Sequence, residues 1–450
     1  AEMGCVDGRS RRRLCRTVLM GALCVAVVVM WTTQALQDRQ EGILNIGSGW
    51  PSEACRPPRF ASPRVASPRA PRVPRVVSPR VSRGTADVGG GSSEVLISCI
   101  SDIHADRKQN LDWVRENLHP RSSRDVLIVA GDISHRMDLV EETLRIFTDR
   151  FSKVFFVPGN HELWVETSQS KTVQGTCSMA KLEQIDELCA KIGVETTPKC
   201  IHGVWVCPLL SWYDLSLSLT DQVTDRLSMP QPETSNLTFW PWSDFTRCSW
   251  PEELEVPYPT RSGRFPVMVA DVMLQRNEKH VQHVASEISR GNGHAVVSVS
   301  HFLPRKETLP DWLNPNQTQF NTRWVGSAWE KSAYRFSKVA GSSSLDHQLR
   351  TLSHSLRNGN PGDMRHVHVF GHSHRPKDFL LDGVRYVHNP LAKPVERERG
   401  MVPEEVYAKE LWRIDASNDI SEHIPAPAPI IRYWAERFLA GLHFDIDVPR

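Results

Sequence analysis

The chain has 450 residues, 40% of them apolar and 24% charged, enough to bury a sizeable core in one large domain or two ordinary ones. Its formal charge of +2 conceals a split: residues 1–85 carry 14 basic against 5 acidic side chains and the remainder 40 against 47, so a basic head precedes a mildly acidic body. That body excludes a nucleic-acid-binding domain, and ten cysteines without a C-x-x-C pair exclude a zinc finger and a small disulfide scaffold.

Residues 1–17 are a cationic flank with Arg9, Arg11, Arg12, Arg13 and Arg16. They lead into an apolar run, Val18 to Trp31, and Thr17 to Leu36 gives twenty residues without a charge, about the length that crosses ~30 Å of hydrocarbon. This predicts a membrane or targeting segment over 18–37, as a single-pass signal anchor or a cleaved signal peptide. The arginines ahead of it place the rest of the chain on the lumenal or extracellular side. Residues 38–93 then repeat around S-P-R between Arg56 and Arg83. Proline removes backbone donors, arginines repel one another and little apolar surface offsets the entropy of ordering, so a disordered basic linker is expected. It reads as a tether that touches acidic lipid head groups, as a plastid transit segment exposed after signal removal, or as a spacer without a partner.

A folded domain is expected over 94–415, with a tail over 416–450. Apolar runs recur at Val95 to Ile100, Val126 to Ala130, Val154 to Val157, Val204 to Leu210, Ala295 to Val299, Val367 to Phe370 and Val384 to Val387. Between several of them lie helical periodicities: Leu111 to Leu118, Leu139 to Phe147, Met179 to Ile192, Val267 to Ile288 and Leu345 to Leu356. Alternating strands and helices predict an α/β fold with βαβ units and a largely parallel or mixed sheet covered on both faces. Two long excursions, Leu215 to Arg264 and Pro304 to Lys338, are rich in Trp and hold N-x-[ST] sequons at Asn236 and Asn316, usable only in a secretory lumen. Loops of this length are functional elements or decorations packed on a flank.

The polar residues just past the apolar runs form a series. The first run ends in D-I-H, Asp102 and His104; the second in G-D, Gly131 and Asp132; the third in G-N-H-E, Gly159 to Glu162. Later come His301 in S-H-F and the pair His372 and His374 in G-H-S-H. Each piece alone is unremarkable, but a parallel sheet brings all five to one edge, where open α/β sheets bind ligands. Oxygen and imidazole donors without thiolate suit Mn, Fe or Zn.

This ordered pattern, D-x-H, G-D, G-N-H-[DE], a later H and G-H-x-H, resembles that of the calcineurin-like metallophosphoesterases, from about Glu94 to about Asp415. The resemblance implies layered sheets flanked by helices and two metal ions. Asp102, His104 and His374 would hold one, Asn160, His301 and His372 the second, and Asp132 would bridge them. It further implies a hydrolase of phosphomono- or phosphodiesters whose nucleophile is a hydroxide shared by the two metals. His161 would donate a proton to the leaving oxygen or, alternatively, orient its loop, which Glu162 supports. Gly131, Gly159 and Gly371 stand where a strand must turn sharply.

Serine/threonine protein phosphatases of the family usually read L-R-G-N-H-E where this chain has V-P-G-N-H-E, Val157 to Glu162, and the missing arginine counts against that activity. Arg136, Arg305, Arg323 and Arg335 are candidate phosphate holders or ordinary surface residues. Asp106 is a supporting or substrate contact, and His135, His354, His366, His368 and His388 fall where packing or exposure is the default. The expected partners are a phosphoester substrate and, through the N-terminal segment, a membrane, with no specific nucleic-acid binding. The alternative is a membrane-tethered, non-catalytic binding scaffold on the same fold; loss of metal chemistry would show as a missing ligand, and none is missing.

Overall fold

The computed structural model describes residues 94–165, 177–218, 242–254, 256–257, 264–265, 267–310, 336–356, 365–403, 406–415 and 420–422. The chain divides into units 1–55 and 56–450, and every described residue belongs to the second. The expected membrane segment over 18–37, the linker over 38–93, both sequons, Arg323 and Arg335 lie outside the described residues. Among the described residues no helix is long and apolar enough to cross a membrane.

All seven apolar runs form strands. β1 (Val95–Ile100), α1 (Lys108–Asn117), β2 (Val126–Ala130), α2 (Met137–Thr148) and β3 (Lys153–Val157) make two successive βαβ units. The chain continues through α3 (Asn160–Leu163), α4 (Ser178–Ile192), β4 (Lys199–Ile201) and β5 (Val204–Pro208). The first long excursion contains α5 (Asp244–Arg247) and the short strands β6 (Val256–Pro257) and β7 (Arg264–Phe265), and returns through α6 (Val267–Ser289) to β8 (Ala295–Val299). α7 (Ser343–Ser355), β9 (His366–Phe370), β10 (Lys377–Leu381), β11 (Val384–His388), α8 (Pro394–Glu398), β12 (Lys409–Ile414) and β13 (Ile420–Glu422) complete the order. The last strand lies beyond the boundary expected at Asp415 and pairs antiparallel with β12.

Two main sheets form, the layered arrangement that the resemblance implies, where the alternation of strands and helices alone predicts one. The first is ordered β13-β12-β1-β2-β3 and the second β10-β11-β9-β8-β5-β4. Within them β1, β2 and β3 run parallel, as do β5, β8, β9 and β11, whereas β12, β13, β10 and β4 join antiparallel. Period-two alternation sorts each apolar run into two faces. Val95, Ile97, Cys99, Ile128, Phe155 and Val157 of the first sheet pack against Val206, Val297, Val299, Val369 and Val387 of the second. Trp205, Cys207, Val296, Phe370 and Tyr386, on the opposite face of the second sheet, pack under α6 and α7 through Val284, Ile288, Leu345, Leu349 and Leu352. Each such fully buried side chain contributes roughly 1.5–3 kcal/mol, and both faces of these strands are dry, which is why they read as unbroken apolar runs. α4 stops at Gly193, whose φ of 80° no β-carbon-bearing residue adopts without strain.

Because the parallel strands point the same way in both sheets, their carboxyl ends meet at one rim. A parallel bridge between Ser101 and Pro390 stitches the end of β1 to the segment after β11 across that rim. Three of the five polar blocks therefore come from the first sheet and two from the second.

Candidate metal centre

The backbone at the rim carries the mark of the site before any side chain is considered. Asp102, His104, Asp132, His372 and His374 have φ of 50°, 48°, 58°, 73° and 52°. L-residues avoid this left-handed region at a cost of roughly 1–2 kcal/mol each, tolerated where the surroundings fix the geometry for function. Such a turn sends consecutive side chains back over the strand ends. The turns interlock through backbone hydrogen bonds: the Asp102 amide donates to the Gly131 carbonyl at 3.0 Å, and the His104 amide donates to the Asp132 carbonyl at 2.9 Å.

The side chains converge. One ligand atom each from Asp102, His104, Asp132 and His374 lies within 4.8 Å of the others, and all four residues are buried. Alongside, His301 Nε2 is 3.4 Å from Asp132 Oδ1 and 3.2 Å from Asn160 Oδ1, and His372 Nδ1 is 3.1 Å from the same Asn160 oxygen. All seven expected ligands are thus brought together, in the two expected sets, with Asp132 beside both. Gly131, Gly159 and Gly371 wall the His301 imidazole: a β-carbon at Gly159 would meet ring atoms at 2.8 Å, as would one at Gly371.

The outer nitrogens decide what the inner ones are. His301 Nδ1 donates to the Ala130 carbonyl at 2.9 Å, His372 Nε2 to the Val339 carbonyl at 3.0 Å and His374 Nδ1 to Glu396 at 2.8 Å. Their other nitrogens are left as bare acceptors facing carboxylate and amide oxygens. His374 Nε2 lies 2.9 Å from His104 Nε2 and 3.5 Å from Asp102 Oδ1. A buried set of acceptors turned on one another with too few protons among them is a cradle for cations.

Electrostatics point the same way. Burial, then the Glu162 and Asp102 carboxylates, push Asp132 well above the usual carboxylate range, so its ionised form needs a compensating positive charge. Burial also pushes Asp102 upward, but the His388 hydrogen bond at 3.0 Å and the nearby His374 outweigh it and hold Asp102 well below that range. Burial pulls His104, His161 and His372 well below an ordinary imidazole, the neutral form that ligation requires. For His374 the Glu396 carboxylate overcomes burial and raises the pKa. The residues fit two cations bound by oxygen and imidazole.

His161 stands beside the cluster with Nε2 3.8 Å from Asp132 Oδ2 and its amide donating to Asp132 Oδ1 at 3.0 Å. Its ring stacks on Trp164, centroids 3.7 Å apart, and its Nδ1 has no partner among the described residues. Glu162 supports the loop through four amides, those of Gly159, Asp132, Ile133 and Ser134, at 2.6–2.9 Å. Arg305 is committed to Glu307 and Asp382, and Arg136 forms an exposed ion pair with Asp138. Asp106 pairs with Arg107 at 3.5 Å.

A family model, calcineurin-like phosphoesterase, matches residues 96–239. Over that stretch the chain is similar to the calcineurin-like phosphoesterases. The acyl-carrier-protein phosphodiesterase PptH of Mycobacterium tuberculosis is 35% identical over 132 residues, a stretch covering 28% of this chain and 39% of that protein. The crystal structure of that phosphopantetheinyl hydrolase is similar at 23% identity with a TM-score of 0.44, covering 69% of this chain and 93% of the other.

Three supports of this centre are absent from the sequence expectations. His388 donates to Asp102 Oδ2, Glu396 orients His374, and Asp244 holds Asn160. His388 had a signal: it follows the run Val384 to Val387 as directly as the ligand blocks follow theirs. Glu396 and Asp244 had none, since a single carboxylate in a polar segment carries no spacing.

Proposed function

We propose that the chain is a metal-dependent phosphoester hydrolase with two metal ions of the Mn, Fe or Zn group, and that its substrates are phosphodiesters. The observation that carries the reading is Asp132, buried and raised in pKa, whose carboxylate lies between the Asp102, His104, His374 set and the Asn160, His301, His372 set. Two cations held there supply positive charge for the phosphoryl oxygens and lower the pKa of water toward neutrality. The side chains do the rest. Asp102, fixed by His388 and by Ser101 Oγ at 2.5 Å, and His374, fixed by Glu396, keep one position rigid. Asn160 and the two imidazoles of His301 and His372 define the other. His161, with Nε2 turned toward Asp132, is placed to give a proton to the leaving oxygen, and the stack on Trp164 holds its plane.

Phosphodiesters are favoured because the mycobacterial relative is named as a phosphodiesterase and because Arg305, one of the arginines expected to grip a phosphate, is paired with Glu307 and Asp382. The intact ligand set weighs against a non-catalytic scaffold. The lumenal or extracellular placement, with the apolar segment of 18–37 as anchor or signal, belongs to the same proposal and rests on sequence alone. The test is hydrolysis of bis-p-nitrophenyl phosphate, p-nitrophenyl phosphate and pyrophosphate by Mn²⁺-loaded protein. A preference of at least about tenfold for the diester supports the reading; preference for the monoester redirects it within the family, and no turnover by protein holding two metals returns the scaffold.

A further inference from the structure

Asp244 belongs to none of the five polar blocks. It opens the four-residue helix α5 inside the first long excursion, yet it is only 2% exposed and reaches the metal centre. Its Oδ1 accepts from Asn160 Nδ2 at 2.9 Å and Trp164 Nε1 at 2.6 Å, and its Oδ2 accepts from Trp242 Nε1 at 2.8 Å.

The consequence follows from what an amide side chain is. Asn160 has one acceptor end and one donor end, nearly equal in shape. In the observed orientation the oxygen faces His301 Nε2 and His372 Nδ1, the bare nitrogens of the second metal position. Turned over, Asn160 would offer its NH₂ to those two imidazole acceptors, filling the metal position with protons. That flip would also set its oxygen against the Asp244 carboxylate, which repels it. Two interactions therefore compete for the same amide, and the charge at residue 244 decides. Asp244 Oδ1 also holds the Trp164 indole, whose ring lies against His161 and has the Arg247 guanidinium over it at 4.6 Å from the centroid. We propose that Asp244 is a positioning residue that selects the metal-ligating orientation of Asn160 and locks the plane of His161 to it, so that the excursion between β5 and α6 completes the second metal position. This rests on the dinuclear reading above.

The experiment is Mn²⁺ titration of the full-length chain by calorimetry, with competition against a fluorescent chelator. Wild-type protein is expected to take up two equivalents. Asp244→Ala is expected to weaken one equivalent about 10- to 100-fold, the usual effect of losing a residue that orients a ligand. The other equivalent, on Asp102, His104 and His374, stays within about threefold. The reciprocal pair Asn160→Asp with Asp244→Asn keeps a donor opposite an acceptor between these two residues, gives up the acceptor of the Trp164 indole, and presents an oxygen to the metal whichever way residue 160 turns. It is expected to recover the weakened equivalent, and it carries the test if Asp244→Ala does not fold. Retention of both equivalents at wild-type affinity in Asp244→Ala, equal weakening of both, or no recovery in the reciprocal pair would overturn the inference. A wild-type stoichiometry below two would instead overturn the dinuclear reading and the inference with it.

Discussion

Replacing Glu162 by glutamine changes one atom and tests how the rim is held. The carboxylate is fully buried and each oxygen accepts two backbone amides: Oε1 those of Ile133 and Ser134, Oε2 those of Asp132 and Gly159. A glutamine keeps one acceptor oxygen and turns an NH₂ toward the other two amides, whichever way it lies. Two charge-assisted hydrogen bonds, worth about 1.5–3 kcal/mol each, become donor-to-donor contacts, a loss of about 3–6 kcal/mol. That is a large part of the 5–15 kcal/mol that holds a typical domain together, and a fall in Tm on the order of 10 °C follows. Differential scanning calorimetry of the metal-free protein measures it without interference from ligand binding. A loss below about 1 kcal/mol would refute the reasoning, because four short contacts to a buried carboxylate cannot then be what fixes the Asp132 turn.

A methyl group at Gly159 is expected to spare the fold and disable the centre. Its β-carbon would press on Asp132 and on the His301 ring, displacing both, so Gly159→Ala should lower diester hydrolysis at least about 100-fold with a near-native circular dichroism spectrum; wild-type turnover would show that the walls around His301 are not tight. A second expectation concerns acid. His366 and His368 are buried under α7 among Ser298, Ser300 and Ser353, and burial lowers each pKa from 6.5 to about 3. The folded state refuses protons that the unfolded chain accepts, so their contribution is intact above pH ~6.5 and declines as pH falls toward 3, by roughly 2–3 kcal/mol each at pH 4.5. Replacing His368 by glutamine should flatten the fall of Tm between pH 7 and pH 4.5, and an unchanged slope would contradict the assignment.

Much of this was legible from the order of residues. Strands buried on both faces announce themselves as apolar runs, and Asp102, His104, Asp132, Asn160, His301, His372 and His374 each stand just past such a run, which made their convergence readable together. The partition into two sheets was not readable in the runs themselves, since an apolar run states that both faces are covered and not by what. The antiparallel strands β10 and β12, with sequences K-D-F-L-L and K-E-L-W-R-I, escaped for a related reason: their polar side chains break the run. In β10 and β11, Asp378 and Arg385 are buried nonetheless because they pair with each other at 2.8 Å. Arg305 looked like a phosphate ligand only because its partner Asp382 is far away in sequence, and Asp244 was invisible because its partner Asn160 is equally remote.

The dinuclear centre itself is tested most directly by anomalous diffraction from crystals grown with Mn²⁺. Two peaks flanking the Asp132 carboxylate, one against Asp102, His104 and His374 and one against Asn160, His301 and His372, are predicted. A single peak, or density away from Asp132, would contradict the reading.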